Sequence, residues 1–327
     1  MTLFTILKRI KLFFSSPTYC LYRYYFRRNP EKAESLVKHI SKKAIPLQSG
    51  VEKIDLISKD GSGQYTHPDI VFFKGNYYLT ATPYTFSNEL IENPCLFISK
   101  DGIVFVPLLN EPVDRPSEQT VRNHLSDPAF SVYGSSLQLY YRKSTHVANN
   151  RIDEIFCVTR KNNHCWEEKK QIKFPGNSLI APSFVTIDNR QFVYYVKESG
   201  DTTKLCIGEV VDDSIIKEKE ITLNNPFTSY CIWHVDIKKN SKEYVGLFNY
   251  IEKPGAGKTQ LFYGVSTDGI SWTIKRKITI SKNEKDICLY KSTSFILDEK
   301  LVSIISGIDK HFRWFLYSCV LEENYLL

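Results

Sequence analysis

The chain has 327 residues, enough for one large domain or two small ones with a substantial core. Its formal net charge of +7 is unevenly spread, since residues 1–43 hold ten Lys or Arg and two Glu while the remainder is close to neutral. A near-neutral body argues against nucleic-acid binding and leaves the basic character to one N-terminal arm.

The cysteines and short motifs exclude several kinds of chemistry. None of the eight cysteines forms a CxxC pair, so the sequence predicts no metal site and no cofactor. Most cysteines lie within apolar runs, as buried thiols do, which favours a reducing cytoplasm. The stretch "KPGAGKT" at 253–259 lacks the spacing of a phosphate-binding loop, and we interpret it as a turn between strands.

Residues 1–45 have the pattern of an amphipathic arm. Leu3, Ile6, Leu7 and Ile10 recur at helical spacing, with cations mostly between them. The apolar runs are too short to span a bilayer, and no clean signal-peptide core is present. The pattern predicts helices that lie on an anionic membrane surface; the alternative is an arm packed on the body or on a partner chain.

From about residue 50 the helical period gives way to aromatic and β-branched runs separated by Gly, Asn and Asp turns. "HPDIVFFKGNYYLTATPY" is the first of five similar hairpin patterns, and the others lie at 126–144, 180–199, 233–252 and 290–309. A second pair of strands follows each hairpin. Two of these second pairs contain Ser-x-Asp-Gly and then an aromatic residue, which resembles the Asp-box turn of propellers.

A period of about 50–60 residues with four strands per unit is typical of a β-propeller. The sequence therefore predicts an all-β, five-bladed β-propeller at 50–327 with a short helical N-terminal extension at 1–45. The stretch "VEKIDLIS" at 51–58 is predicted to supply the outer strand that closes the last blade.

The repeats "GNYYLTATPY", "ENPCLFISKDG" and "SDPAF" resemble the five-bladed glycoside hydrolases of families 43, 32 and 68. The resemblance covers about 50–327 and implies a saccharide site where the first strands of the blades begin. In the family 43 pattern the first three blades supply an Asp base, an orienting Asp and a Glu acid. Here Asp127 matches the orienting Asp and His67 replaces the base, with Asp69 two residues later on the same strand face. The expected Glu falls on Ile180, so the usual acid is missing.

The blade starts and the resemblance together define the candidate site. A neutral His can act as an acid or a base near pH 7, and a buried cation can hold an anionic group. The catalytic candidates are Asp127, Asp69, His67, His234 and Asp236. The substrate-binding candidates are Glu92, Asn93, Tyr84, Arg122, Trp233 and Lys291.

These observations predict a carbohydrate-active enzyme of surface polysaccharide or glycolipid assembly, either glycosyltransferase-like or modified glycosidase-like. We expect it in the cytoplasm, peripheral on the inner face of the membrane, with a saccharide or glycolipid substrate, contact with anionic lipid through the arm, and no nucleic acid. Two alternatives stay open. One is a furanosidase-like glycoside hydrolase with relocated carboxylates, and the other is a non-catalytic glycan-binding propeller.

Overall fold

The computed structural model describes residues 16–26, 45–118, 123–147, 150–161, 165–200, 202–223, 230–253, 256–323 and 325. In these ranges the chain forms five four-stranded antiparallel sheets, which are the five blades of a propeller. This confirms the predicted fold class. No helix in the described ranges is both long enough and apolar enough to cross a membrane.

Four blades are built from consecutive strands. Blade 1 contains β2 (Tyr65–Phe73), β3 (Asn76–Pro83), β4 (Cys95–Ser99) and β5 (Val106–Pro107). Blade 2 contains β6 (Asn123–Tyr133), β7 (Ser136–Val147), β8 (Asn150–Thr159) and β9 (Lys170–Ile172). Blade 3 contains β10 (Ile180–Ile187), β11 (Arg190–Ser199), β12 (Thr202–Val211) and β13 (Ser214–Ile221). Blade 4 contains β14 (Cys231–Lys239), β15 (Tyr244–Lys253), β16 (Ala256–Ser266) and β17 (Thr273–Ile278).

Blade 5 joins the two ends of the propeller. It contains β18 (Ile287–Leu297), β19 (Lys300–Asp309), β20 (Trp314–Glu322) and, as its outer strand, β1 (Val51–Ile54). β1 pairs antiparallel with β20, with Val51 opposite Cys319 and Ile54 opposite Leu316. The predicted closure by 51–58 is therefore confirmed. This pairing gives blade 5 its fourth strand and ties the N-terminal strand of the propeller to its last blade.

The N-terminal extension is described only at 16–26. Helix α1 (Pro17–Leu21) begins with a proline in its first turn and continues into a π-helical turn, Tyr22–Phe26. Almost all of the rest of the predicted 1–45 arm lies outside the described residues. Tyr19, Cys20 and Tyr22 are buried against Phe86, so this short stretch contacts the propeller.

The two Asp-box sequences form the tight turns that the pattern predicted. Asp268 Oδ1 accepts hydrogen bonds from the amides of Ile270 and Ser271, both at 2.7 Å. Gly269 has φ +74°, a conformation that disfavours a side chain. Trp272 then covers the turn and is 8% exposed. These turns fix hairpins at the outer part of blades 1 and 4, away from the residues that meet on the axis.

Candidate active site

Each of the five inner strands contains a β-bulge, and residues at these bulges form the candidate site. The register of the hairpin shifts at Thr66–Asp69, Ser126–Ala129, Ile180–Ser183, Ile232–His234 and Leu289–Ser292. β-bulges redirect side chains and are frequent beside active sites. The bulges of the first three blades place His67, Asp127 and Ala181 at φ +51°, +48° and +48°, and each of the three precedes a proline. Such conformations cost about 1–3 kcal/mol each and persist where the surroundings enforce them.

The bulge corrects one detail of the sequence alignment. The expected acid of the third blade was aligned with Ile180, but the residue equivalent to His67 and Asp127 in the fold is Ala181. Neither residue is a carboxylate, so blade 3 contributes no acid at this place. Any acidic side chain at the level of these bulges must therefore come from the other four blades.

His67, Asp127 and His234 converge from blades 1, 2 and 4. His67 Nε2 and His234 Nε2 each lie 3.6 Å from Asp127 Oδ1, and one ligand atom from each residue falls within 4.8 Å of the others. All three residues are at most 5% exposed. A separation of 3.6 Å is too long for a hydrogen bond. It is close to the ~3.3–3.6 Å between neighbouring ligand atoms around a divalent ion bound at about 2.0–2.1 Å.

A second layer of polar groups orients His67. Its Nδ1 atom lies 2.9 Å from Glu92 Oε1 and 3.1 Å from the Thr82 hydroxyl. The other oxygen of Glu92 is 3.8 Å from His124 Nε2. A carboxyl group beside the far nitrogen of a metal-binding histidine is a common arrangement. Glu92 has that placement beside His67, although its Oε1 atom forms no hydrogen bond of normal geometry.

Two cations border the same cluster. Arg142, on β7, pairs with Asp127 Oδ2 at 2.9 Å and with Asp153 at 3.3 Å. Lys291 Nζ lies 4.0 Å from Asp127 Oδ1 and donates to the Pro128 carbonyl at 3.1 Å. Lys291 is only 2% exposed, and this burial lowers the pKa of its ammonium group, while Asp127, Asp69 and Asp236 act in the opposite direction.

The pKa shifts set the protonation states of the cluster. Burial holds the pKa of His67 well below its usual value and also lowers that of His234, so both rings are neutral near pH 7. Burial alone would raise the pKa of Asp127, but Arg142 and the two imidazoles outweigh it and hold that pKa well below the usual range. Two neutral imidazoles and one ionised carboxylate are the forms in which these groups bind a metal.

Glu92 differs from Asp127. Burial raises its pKa well above the usual value, and the negative charge of Asp127 adds to the increase. A divalent ion held by His67 would act on Glu92 in the opposite direction. The two carboxyl groups of the cluster therefore have separate roles: Asp127 is the anionic centre, and Glu92 is the partner of His67.

Aromatic side chains surround the cluster. The ring of Tyr290 lies 4.3 Å from that of His234, and its hydroxyl accepts a hydrogen bond from Trp233 Nε1 at 3.1 Å. Tyr84 lies 6.3 Å from His67 and 5.3 Å from Trp314, measured between ring centroids. Aromatic faces with hydroxyl or N–H edges suit the alternating apolar and polar surface of a sugar.

Asp69 and Asp236 form a network with Lys238, and both carboxylates also act on the pKa of Lys291 in the cluster. Lys238 Nζ lies 2.6 Å from Asp69 and 3.3 Å from Asp236. Asp69 also accepts from the Thr293 hydroxyl and from the amide of Phe130, and Asp236 accepts from the amide of Ser294. These bonds connect the inner strands of blades 1, 2, 4 and 5, and leave the two carboxylates committed to structure.

The remaining candidates are more scattered. Asn93 is buried and lines a cavity of about 470 Å³ whose walls include Asp60 and Arg115 and none of the clustered side chains. Arg122 lies outside the described residues. Arg142 and Tyr290 were missed by the sequence analysis. A charged residue inside the apolar strand "LQLYYR", facing Ser126 across the hairpin, is the signal that could have identified Arg142.

The metal-type group was also missed, because its three members lie far apart in sequence. His67 lies on the inner strand of blade 1 and His234 on that of blade 4, with the whole of blades 2 and 3 between them, and no short spacing pattern links the two residues. Asp127 Oδ1, the oxygen that faces both imidazoles, is one of the buried atoms without a hydrogen-bond partner among the described residues. Buried polar atoms in such a position call for a ligand. The residues present therefore fit a divalent ion.

Comparison with known proteins supports the fold. An N-acetylgalactosamine deacetylase from F. plautii, in complex with blood group B trisaccharide, superposes with a TM-score of 0.64 at 16% identity, covering 85% of this chain and 95% of that one. A thermostable family-43 glycoside hydrolase superposes with a TM-score of 0.56 at 12% identity, covering 80% and 93%. An α-L-arabinanase from Cellvibrio cellulosa complexed with arabinohexaose gives 0.56 at 14% identity, covering 80% and 96%. At these identities the likeness is one of fold, and it confirms the five-bladed propeller architecture that family-43 glycoside hydrolases also have.

The sequence comparisons are less informative. No protein-family model matches the chain. Signal peptidase complex subunit 3 from Saccharomyces cerevisiae is 30% identical over 115 residues, which span 34% of this chain and 61% of that protein. A match of this extent does not assign a family. The fold is therefore a five-bladed β-propeller like that of the family-43 glycoside hydrolases, with a buried His–Asp–His cluster formed by the inner strands of blades 1, 2 and 4.

Proposed function

We propose that the protein is a carbohydrate-active hydrolase that binds a divalent ion through His67, Asp127 and His234 and removes an N-acyl group from an amino sugar. The convergence of His67 Nε2, Asp127 Oδ1 and His234 Nε2 carries this proposal. An ion held there would polarise an acyl carbonyl as a Lewis acid. The aromatic rim, with Tyr84 and Tyr290, supplies the sugar-binding surface.

The reaction follows the ordinary balance of amide hydrolysis. The oxygen of water bonds to the acyl carbon, the carbon–nitrogen bond breaks, and the proton released by the water ends on the amine nitrogen. Lys291 Nζ donates one hydrogen bond, to Pro128, and its remaining N–H groups can stabilise negative charge developing on the carbonyl oxygen. Arg142 is a positioning residue, because it holds Asp127 by an ion pair and is itself held by Asp153.

Amide hydrolysis fits these residues better than glycoside cleavage with relocated carboxylates. Cleavage of a glycosidic bond requires two carboxyl groups that flank the bond. Asp69 and Asp236 are tied to Lys238, and Glu92 is bound to His67. A deacetylase that acts on N-acetylgalactosamine has the same fold, so this architecture accommodates acyl transfer to water.

Glycoside hydrolysis is the second candidate, and one observation favours it. Glu92 and Asp127 lie on the same imidazole ring of His67, from opposite sides, so two carboxyl groups do meet at the mouth of the channel. In that reaction a proton on the leaving oxygen would come from Glu92. It would not need a divalent ion.

The two reactions are distinguished by product and by metal dependence. The purified protein is stripped with a chelator, reloaded with Zn²⁺, Mn²⁺ or Ca²⁺, and given N-acetylated amino-sugar oligosaccharides. We expect release of acetate with a free amine, loss of activity on stripping, and recovery with one of the ions. Release of reducing sugar that persists in chelator would establish the glycosidase instead. If neither acetate nor reducing sugar is released but a labelled sugar is transferred from a donor, the glycosyltransferase-like hypothesis is favoured.

Variants test the residues directly. Asp127→Asn and His234→Ala should reduce both ion binding and acetate release at least about 100-fold, since loss of even an outer metal partner typically costs 10–100-fold. The matched control is His146→Ala, since His146 is exposed and outside the cluster. If the variants bind the ion as tightly as the wild type, measured by calorimetry and elemental analysis, the assignment of the ligands is wrong.

A further inference from the structure

The described part of the N-terminal arm is attached to the rim of the candidate active site. Tyr19 stacks on Phe312, with ring centroids 4.4 Å apart and planes inclined by 25°. The ring of Tyr22 lies 5.1 Å from that of Phe86, and its hydroxyl accepts a hydrogen bond from Asn88 Nδ2 at 3.2 Å. These contacts hold residues 16–26 in one place on the propeller.

The surface under the arm belongs to the mouth of the channel. Phe86 and Asn88 lie in the connection between β3 and β4, which begins with Tyr84 and ends near Glu92. Trp314 Nε1 donates to the Ser87 hydroxyl at 2.8 Å, and so joins this connection to blade 5. The arm therefore contacts the same loop that carries the rim and one of the carboxyl groups of the site.

The outward side of the arm is apolar and aromatic. Leu21, Tyr24 and Tyr25 are 37%, 57% and 75% exposed, and Arg23 is exposed between them. Tyrosine and arginine side chains prefer the interface between water and lipid, because each combines an apolar body with a polar end. Leu21, Arg23, Tyr24 and Tyr25 together form the rim face of the arm.

The charge of the sequence complements an anionic bilayer. Residues 1–43 contain ten cations and two acids, whereas the rest of the chain has 33 cations and 34 acids. Lys and Arg side chains close to a membrane with anionic lipids strengthen binding by electrostatic attraction. Arg23 belongs to the rim face, and the other nine cations precede or follow it within residues 1–43 of the sequence.

We propose that the rim face binds an anionic lipid bilayer and turns the mouth of the channel toward it, so that the substrate is a saccharide carried on a membrane lipid. This proposal rests on the proposed function for the identity of the reaction. The orientation itself depends only on where the arm is attached. A site that faces a bilayer reaches a glycan joined to lipid in the same leaflet, whereas a soluble oligosaccharide gains nothing from the orientation.

The test separates binding from turnover. Full-length protein is mixed with vesicles of phosphatidylcholine alone, or of phosphatidylcholine with phosphatidylglycerol, and the bound fraction is measured by flotation at low and high salt. The double variant Tyr24→Ser/Tyr25→Ser removes the rings and keeps the charge. The matched control is Ile103→Ser/Val104→Ser, a pair of exposed apolar residues, 58% and 65% exposed, on the turn between β4 and β5.

We expect binding to anionic vesicles that weakens with salt, with affinity at least about tenfold lower in the Tyr24/Tyr25 variant, since burial of an aromatic ring contributes 1.5 kcal/mol or more. The control variant should bind like the wild type. Equal binding to neutral vesicles, or an unchanged Tyr24/Tyr25 variant, would overturn the assignment of the rim face.

Turnover is compared on one N-acetylated oligosaccharide supplied free and attached to a lipid in the same vesicles. The wild type should act at least about tenfold faster on the lipid-linked form, and the Tyr24/Tyr25 variant should lose that advantage while it keeps its rate on the free sugar. Equal rates of the wild type on both forms would overturn the lipid-linked substrate. Absence of turnover on either form, with vesicle binding intact, would contradict the proposed reaction and leave the binding surface standing.

Discussion

Asp69→Asn is the substitution that best distinguishes a structural role from a catalytic one. Asp69 Oδ1 accepts from Lys238 Nζ at 2.6 Å, from the Thr293 hydroxyl at 2.9 Å and from the amide of Ile70 at 2.9 Å. Its other oxygen accepts from the amide of Phe130. An asparagine has one acceptor oxygen and must direct its NH₂ group at one of these donors, so at least one buried donor loses its partner.

The size of the effect follows from the burial. Asp69 is 2% exposed, so water does not replace the lost bonds. Removal of one partner of a buried ion pair destabilises by about 3–5 kcal/mol. Lys238 keeps Asp236 at 3.3 Å, which places the expected loss near the lower end, at about 3–4 kcal/mol. For a domain of this size that loss lowers Tm by roughly 6–16 °C.

The assay is thermal unfolding followed by circular dichroism, with acetate release measured at a temperature where both proteins are folded. The matched control is Asp188→Asn, since Asp188 lies exposed in a turn at φ +48°, a conformation that Asn tolerates equally well. Its Tm should stay close to that of the wild type. An Asp69→Asn protein with an unchanged Tm and no turnover would refute the structural role and return Asp69 to the catalytic group.

Two further predictions concern the turns. Gly269→Ala should destabilise the protein by about 2–3 kcal/mol in urea unfolding, because a Cβ would lie 2.4 Å from the Tyr194 hydroxyl. The control is Gly134→Ala, at φ +57° in open space, which should lose only about 1 kcal/mol. Equal losses in the two variants would show that the contact with Tyr194 is relieved without strain. The amides of the turn, that of Val104 above all, lower the pKa of Asp101 to about 2. The folded state thus binds this proton less readily than the unfolded state, and its stabilising effect is present above about pH 4 and lost as the pH falls toward 2. Asp101→Asn should remove that part of the decrease in Tm at acid pH. A variant whose Tm falls as steeply between pH 4 and pH 2 as that of the wild type would contradict the prediction.

The sequence was sufficient to determine the blades. Alternating strands, Gly–Asp turns and a period near 55 residues each depend on local backbone preference, which is the same wherever the chain lies. The closure of blade 5 by 51–54 was also predictable, because a propeller that ends on a three-stranded unit needs one more strand and the strand predicted at 51–58 precedes the first hairpin. The lack of an acidic residue at the start of the inner strand of blade 3 could likewise be predicted from "LIAPSFV".

The tertiary structure alone decided which polar residues share a site. Asp69 and Asp127 both stand at the start of an inner strand, but a bulge turns Asp127 toward two imidazoles, whereas Asp69 follows the bulge of its own strand and meets Lys238 from blade 4. The distances between His67, Asp127 and His234 depend on how five sheets close into a ring. Side chains brought together by closure have no sequence spacing in common, and so the metal-type cluster could be recognised only once the ring was assembled.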